Sequence, residues 1–160
     1  MTTAQNNIIA HPGGFSKILP YQIDSSGSND INQGDLVYFN TTSKFVISVA
    51  SDANAATLAG VSTLTSFIDP YGLKQYLSPI MVAFDVIAAL KTTSGDTYNW
   101  GDAVYIGADA QTITNVAATN KVGFVYPQSV PVIGTAFTIA GGSGVTAPIL
   151  VIAQFPELAI

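Results

Sequence analysis

From Asp35 onward the chain alternates short β-branched and aromatic runs with clusters of Gly, Pro, Asn, Asp and Ser, which is the pattern of strands and turns. Leu36 to Phe39 and Lys44 to Val49, joined by Asn40-Thr41-Thr42-Ser43, predict a hairpin. Further strands are expected in part of Gly60 to Phe67 and at Ala103 to Ile106, Thr112 to Val116, Val122 to Tyr126, Ala136 to Ala140 and Ile149 to Phe155. Ile80 to Leu90 predicts one long strand. Its alternation puts Met81, Ala83, Asp85 and Ile87 on one face and Val82, Phe84, Val86 and Ala88 on the other, so Asp85 marks the solvent side. Helix is scarce: Ser51 to Ala59 is rich in small residues and has an N-cap candidate, but its length predicts a turn or two at most.

Residues 1–30 read differently. Ile8, Ile9, Phe15, Ile18, Leu19 and Tyr21 are spaced without a helical or strand period, His11-Pro12-Gly13-Gly14 breaks regular structure, and Ser25 to Asp30 suits a loop. The expectation is an extended N-terminal arm over 1–30 on a single β domain over 31–160. The competing expectation is that this leader lays one edge strand on the domain.

The body contains an internal repeat. Gly34-Asp35-Leu36-Val37-Tyr38 recurs 67 positions later as Gly101-Asp102-Ala103-Val104-Tyr105. Each copy continues through a second strand and an Ala-rich connector to an apolar-Gly-apolar step, Ala59-Gly60-Val61 and Val122-Gly123-Phe124, then to a hydrophobic strand. Two related units, about 31–90 and 98–155, predict an all-β sandwich or barrel-like body with approximate internal symmetry. The repeated residues Gly34, Asp35, Tyr38, Gly101, Asp102 and Tyr105 are read as structural. Gly accepts positive φ at the turn that opens each strand, and Asp bonds the nearby backbone N–H groups.

Composition narrows the function classes. Of 160 residues 48% are hydrophobic, yet only 9% are charged, against roughly 25% in a typical domain. With a net charge of −5, this is a folding composition rather than a disordered one. The cations are Lys17, Lys44, Lys74, Lys91 and Lys121, scattered singly and without arginine, so nucleic acid is not an expected partner. The absence of cysteine removes disulfides, thiolate zinc sites and thiol catalysis. No secretory signal and no apolar run of membrane-spanning length are visible, so cytoplasmic synthesis and no membrane partner are expected.

Catalytic constellations do not assemble from these residues. His11 is the one histidine and lies in the leader, while Gly142-Ser143-Gly144 lacks the strand-to-helix context of a nucleophile elbow. Asp35, Asp85 and Asp102 are the carboxylates worth naming for acid–base work. Asp96, Asp102 and Asp109 are loosely grouped but miss the ligand pattern of a calcium loop. Trp100, beside Tyr98 and Asn99, is a conceivable sugar-stacking platform. No catalytic, metal or cofactor residue is nominated, and the chain is expected not to be an enzyme.

The strand opening Gly-Asp-x-Val-Tyr in both copies, the Asp/Ala-rich connector leading to Ala59-Gly60-Val61, the second glycine step at Gly123 and the apolar C-terminal strand together resemble the capsid cement, or head decoration, proteins of tailed bacteriophages. The resemblance covers roughly residues 30–155. It implies a structural virion protein on the outer capsid surface that stabilises the expanded shell by bridging capsomers. The major capsid protein would be its partner, and it would self-associate as a dimer or trimer on the shell. In that reading Ile8, Ile9, Phe15, Leu19 and Tyr21 are the arm anchors. The alternative is a carbohydrate- or host-binding β module of a fibre or surface protein.

Overall fold

The fold is that of a computed structural model that describes residues 6–10, 17–23, 31–40, 46–47, 55–63, 80–117, 120–127 and 138–153. Among them are thirteen strands and no helix, the all-β architecture that the turn-and-strand pattern predicts. One sheet has the order β2 (Ile18–Tyr21), β6 (Ile80–Ala83), β5 (Ala55–Ser62), β3 (Leu36–Asn40), β4 (Val46–Ile47), antiparallel throughout. The second assembly closes on itself. β7 (Val86–Thr92), β10 (Thr112–Thr114), β9 (Ala103–Ile106), β11 (Lys121–Val125) and β13 (Thr146–Val151) pair in that order, and β13 returns to β7 as a five-stranded barrel. A small ribbon of β8 (Thr97–Asn99) and β12 (Thr138–Ala140) stands beside it.

Apolar alternation explains which side chains fill the barrel. Val104 and Ile106 of β9, Ala147, Ile149 and Val151 of β13, and Ile113 of β10 point inward and are buried. This core is continuous with Leu36, Tyr38, Leu58, Val61 and Ala83 of the sheet. The other sheet face forms a separate cluster of Val37, Phe39, Ala59, Ile80 and Val82 under Ile23 and Ile31, with the Tyr21 ring edge-on to Phe39 at 5.1 Å. Because β3 is buried on both faces, it reads as an unbroken apolar run and not as an alternation.

Several expectations are corrected. Ile80 to Leu90 is not one strand: β6 ends at Ala83, Asp85 takes φ +49, and β7 begins at Val86 in the other assembly. Passing from sheet to barrel requires a sharp bend, and Asp tolerates left-handed backbone better than most residues. Asp85 therefore marks a corner, where Lys17 Nζ meets its Oδ2 at 2.8 Å and the Phe84 N–H donates to Lys17 O at 3.0 Å. Over its described residues the leader contributes two edge strands. β1 (Asn7–Ala10) pairs antiparallel with β7, and β2 pairs with β6. Four-residue edge strands carry too few buried positions to show a period. The Ala-rich window is also strand, because Ala55 to Ala59 lies in β5 and pairs with β3; tertiary pairing overrides weak helix propensity there.

The two units share one pairing scheme. The order β4-β3-β5-β6 in the sheet matches β10-β9-β11-β13 in the barrel, strand for strand. Val37 pairs with Gly60 as Val104 pairs with Gly123, and Leu36 with Val61 as Ala103 with Phe124. Each register then slips at the same place, bulging Ala59 in one unit and Val122 in the other.

Candidate functional surface

The repeated turn is built identically in both units. Gly34 and Gly101 adopt φ +87 and +81. The Asp35 N–H donates to Asn32 O and the Asp102 N–H to Asn99 O, each at 3.0 Å, while the two Asp Oδ2 atoms accept from the Asn32 and Asn99 N–H groups at 2.8 Å. Asp35 O and Asp102 O then take the Ser62 and Val125 N–H groups, each at 2.9 Å. The repeat thus reaches back two residues beyond the Gly-Asp pair, to asparagines that the shorter motif missed. Asp35 and Asp102 hold backbone in place.

The glycine steps are close backbone approaches. A Cβ on Gly60 would collide with Ala83 O, and one on Gly123 with Leu150 O. Gly60 also has φ +147, which side chains avoid. These glycines let the connector strand lie flat against the last strand of its unit.

What distinguishes the units is the fate of one sheet face. Cross-strand rows on it are Leu36–Val61–Ala83 and Tyr38–Leu58 in the first unit, all buried. The equivalent rows in the second unit are Ala103–Phe124–Leu150 and Tyr105–Lys121, all half-exposed on the outside of the barrel. Lys121 Nζ lies 3.8 Å from the centroid of the Phe124 ring, a cation–π contact, and with Ile152 these residues border a surface hollow of about 110 Å³. Tyr126 and Ile152 extend the apolar character to solvent. The sequence signal for this surface lies in the repeat itself: Lys121 stands where the first unit has Leu58, a charge replacing a buried aliphatic.

A polar junction ties the units to the leader. The Asn6 carboxamide is buried, with Nδ2 donating to Gly34 O and Gln111 O and Oδ1 accepting the Lys91 N–H, all at 2.8 Å. Lys91 Nζ donates to Gln111 Oε1, and Gln111 Nε2 to Asp35 Oδ1, each at 2.6 Å. The Leu36 N–H to Ala110 O bond at 2.7 Å joins the first strand of one unit to the β9–β10 turn of the other. A cavity of about 200 Å³ lies alongside, lined by Asn6, Ile8, Gln33, Gly34 and Val61 to Thr63.

The remaining candidates fall into structural positions. Asp96 accepts from Thr114 Oγ1 and the Asn115 N–H, with Tyr98 Oη 3.2 Å from its Oδ2; Asp102 closes its turn; Asp109 accepts the Gln111 N–H. The three carboxylates serve three different turns, and among the described residues no group of three or more His, Cys, Asp or Glu converges. Burial pushes the Tyr98 hydroxyl up to about 12, with the Asp96 charge adding to it, and burial raises Tyr38 and Tyr21. Of the arm anchors, Ile8 is half-buried and packs on the main core, Tyr21 sits on Phe39, and Leu19 is 42% exposed. Ile9 belongs to β1, while Phe15 and His11 lie outside the described residues. Trp100 is 62% exposed at the tip of the second Asn-x-Gly-Asp turn, and Asp102, Tyr105 and Asn115 border a shallow polar depression of about 340 Å³. Among the described residues no helix is long and apolar enough to cross a membrane. The chain matches no family model and is similar to no curated protein.

Proposed function

We propose that this protein is a non-enzymatic structural component of a phage particle that binds the outer surface of the capsid, with the major capsid protein as its partner. The observation that carries the reading is the outer barrel face: the second unit leaves uncovered the same rows of side chains that the first unit buries. A rigid barrel presenting Phe124, Leu150, Ile152 and Tyr126 with a single cation suits attachment to a protein lattice through apolar contact. Each buried aliphatic or aromatic anchor would contribute about 1.5–3 kcal/mol, less the cost of association. Many copies bridging neighbouring subunits would add resistance to rupture. Of the leader residues, Leu19 remains available as an additional contact, whereas Ile8 is committed to the chain's own core.

The test is co-sedimentation with expanded phage heads. The wild-type chain is expected to bind at a fixed stoichiometry that changes little with salt, and Phe124→Ser/Ile152→Ser to lose binding while keeping its melting temperature. Failure of the wild-type chain to bind would overturn the function, and undiminished binding by the double variant would overturn the surface. The exposed Trp100 ring favours one second reading, a carbohydrate-binding module, for which a glycan array is the direct assay.

A further inference from the structure

We infer that β1 is an exchangeable strand: the segment Asn6–Ala10 of a second copy of this chain can fill the same socket on β7, joining two molecules by reciprocal exchange. The idea is independent of the shell-binding reading, because it concerns contacts that the chain already makes with itself.

The socket is supplied entirely by other segments. Gly34 O comes from the first unit's turn, Gln111 O from the β9–β10 turn and the Lys91 N–H from β7, and together they take up the Asn6 carboxamide with three hydrogen bonds. The Asn6 Cβ sits so close to Gly34 that a methyl group there would meet it at 2.8 Å. A side chain that meets all three must offer two amide donors and one carbonyl acceptor, as the Asn6 carboxamide does, and the same segment of a second copy carries the same group.

The strand pairs with β7 at three positions. Asn7, Ile8 and Ala10 face Ala89, Ala88 and Ile87, with an irregularity between Ile8 and Ala10. β10 occupies the same edge of β7 farther along, at Lys91 and Thr92, so release of β1 uncovers a short edge without opening the barrel. The 200 Å³ cavity flanks the strand at Asn6 and Ile8, so the socket is not close-packed on that side. In the sequence, His11 to Ser16, which include Pro-Gly-Gly, separate β1 from β2.

Exchange makes the same contacts in both forms, so the balance is set by concentration and by the connecting segment. A strand tethered by a short linker experiences an effective concentration of roughly millimolar. Dilute chains should therefore be closed and crowded ones exchanged.

The absence of cysteine permits a direct trap. In an Asn7→Cys/Ala89→Cys chain, oxidation is expected to give disulfide-linked monomer at micromolar concentration, with about half the chains in covalent dimer near millimolar. Peptide mapping should place the link between position 7 of one chain and position 89 of the other. Adding Asn6→Ala should reduce both products several-fold. Covalent monomer at every concentration would overturn the inference, as would dimers linked 7 to 7 or 89 to 89. Failure of both this pair and Ile8→Cys/Ala88→Cys to form any disulfide would show that β1 does not occupy the socket in solution, which overturns it equally.

Discussion

The first unit and the second begin from the same instructions and end in different architectures. Both open with Asn-x-Gly-Asp, bulge at the residue before a glycine, and lay the connector strand against a final apolar strand. The first remains an open sheet with both faces buried; the second is closed by β7, which follows the last strand of the first unit's sheet and pairs with both β13 and β10. Local turn chemistry thus fixes which strands are neighbours, and a linking strand decides whether the sheet closes. Closure moves the equivalent of the second cluster into the barrel interior and turns the equivalent of the inner sheet face outward, where Lys121 and Phe124 replace Leu58 and Val61.

If the glycine step is the shared element, breaking it should be the most damaging single change in either unit. Gly60→Ala forces a side chain into φ +147 and against Ala83 O, while Gly123→Ala meets Leu150 O without the backbone penalty. Strain and overpacking of this kind each cost about 1–3 kcal/mol. Denaturant titration should show a loss of about 3 kcal/mol or more for Gly60→Ala and somewhat less for Gly123→Ala. A loss below 1 kcal/mol for both would mean that the close approaches relax and that the two units are not locked by the same device.

The alternation of apolar runs and turn residues identifies most of the body strands, because each is a short run ended by a residue with a conformational reason to turn. The repeat is legible as far as Gly-Asp-x-Val-Tyr, yet Asn32 and Asn99 escape notice, since asparagine is common in turns and its backbone partners appear only in three dimensions. Asp85 misleads because alternation persists on paper through a bend, and a polar residue at a corner looks like one on a solvent face. The outer barrel face is hidden for a different reason. Phe124 and Leu150 are apolar positions in apolar strands, and whether they face core or solvent depends on closure by β7, which pairs at long range.

Two buried tyrosines sharpen the comparison at a smaller scale. Tyr38 lies in the first unit with a buried hydroxyl that has no hydrogen-bond partner among the described residues. Tyr98, just ahead of the second, accepts the Thr93 N–H at 3.1 Å and directs its proton at Ile113 O at 2.8 Å, with Asp96 Oδ2 at 3.2 Å. An orphaned buried hydroxyl costs about 1–3 kcal/mol, whereas a satisfied one contributes about 0.5–1.5 kcal/mol per hydrogen bond. Tyr38→Phe should therefore raise stability by about 1 kcal/mol, and Tyr98→Phe should lower it by about 1–2 kcal/mol. Alkali provides a second readout. A phenol whose pKa is raised on folding keeps its proton after the unfolded chain has lost its own, so stability is unaffected below pH 10 and falls as pH rises toward 12. Each Phe variant should flatten part of that decline; an unchanged alkaline limb would show that the hydroxyls are wetter than their surroundings imply.

The smallest effect is expected where the two units differ only at a turn tip. Gln33 and Trp100 occupy the same exposed position of the two Asn-x-Gly-Asp turns, so Trp100→Gln gives the second unit the first unit's residue without touching the Gly101 backbone or the Asp102 cap. An exposed substitution away from packing and capping should shift stability by less than about 0.5 kcal/mol. A larger loss would mean that the ring packs and that the turns are not interchangeable. With stability preserved, the same variant separates the two functional readings, because attachment through the Phe124 face should survive it, whereas a sugar-stacking site would lose its platform. Wild-type glycan binding that disappears in Trp100→Gln would move the working surface from the barrel wall to the turn.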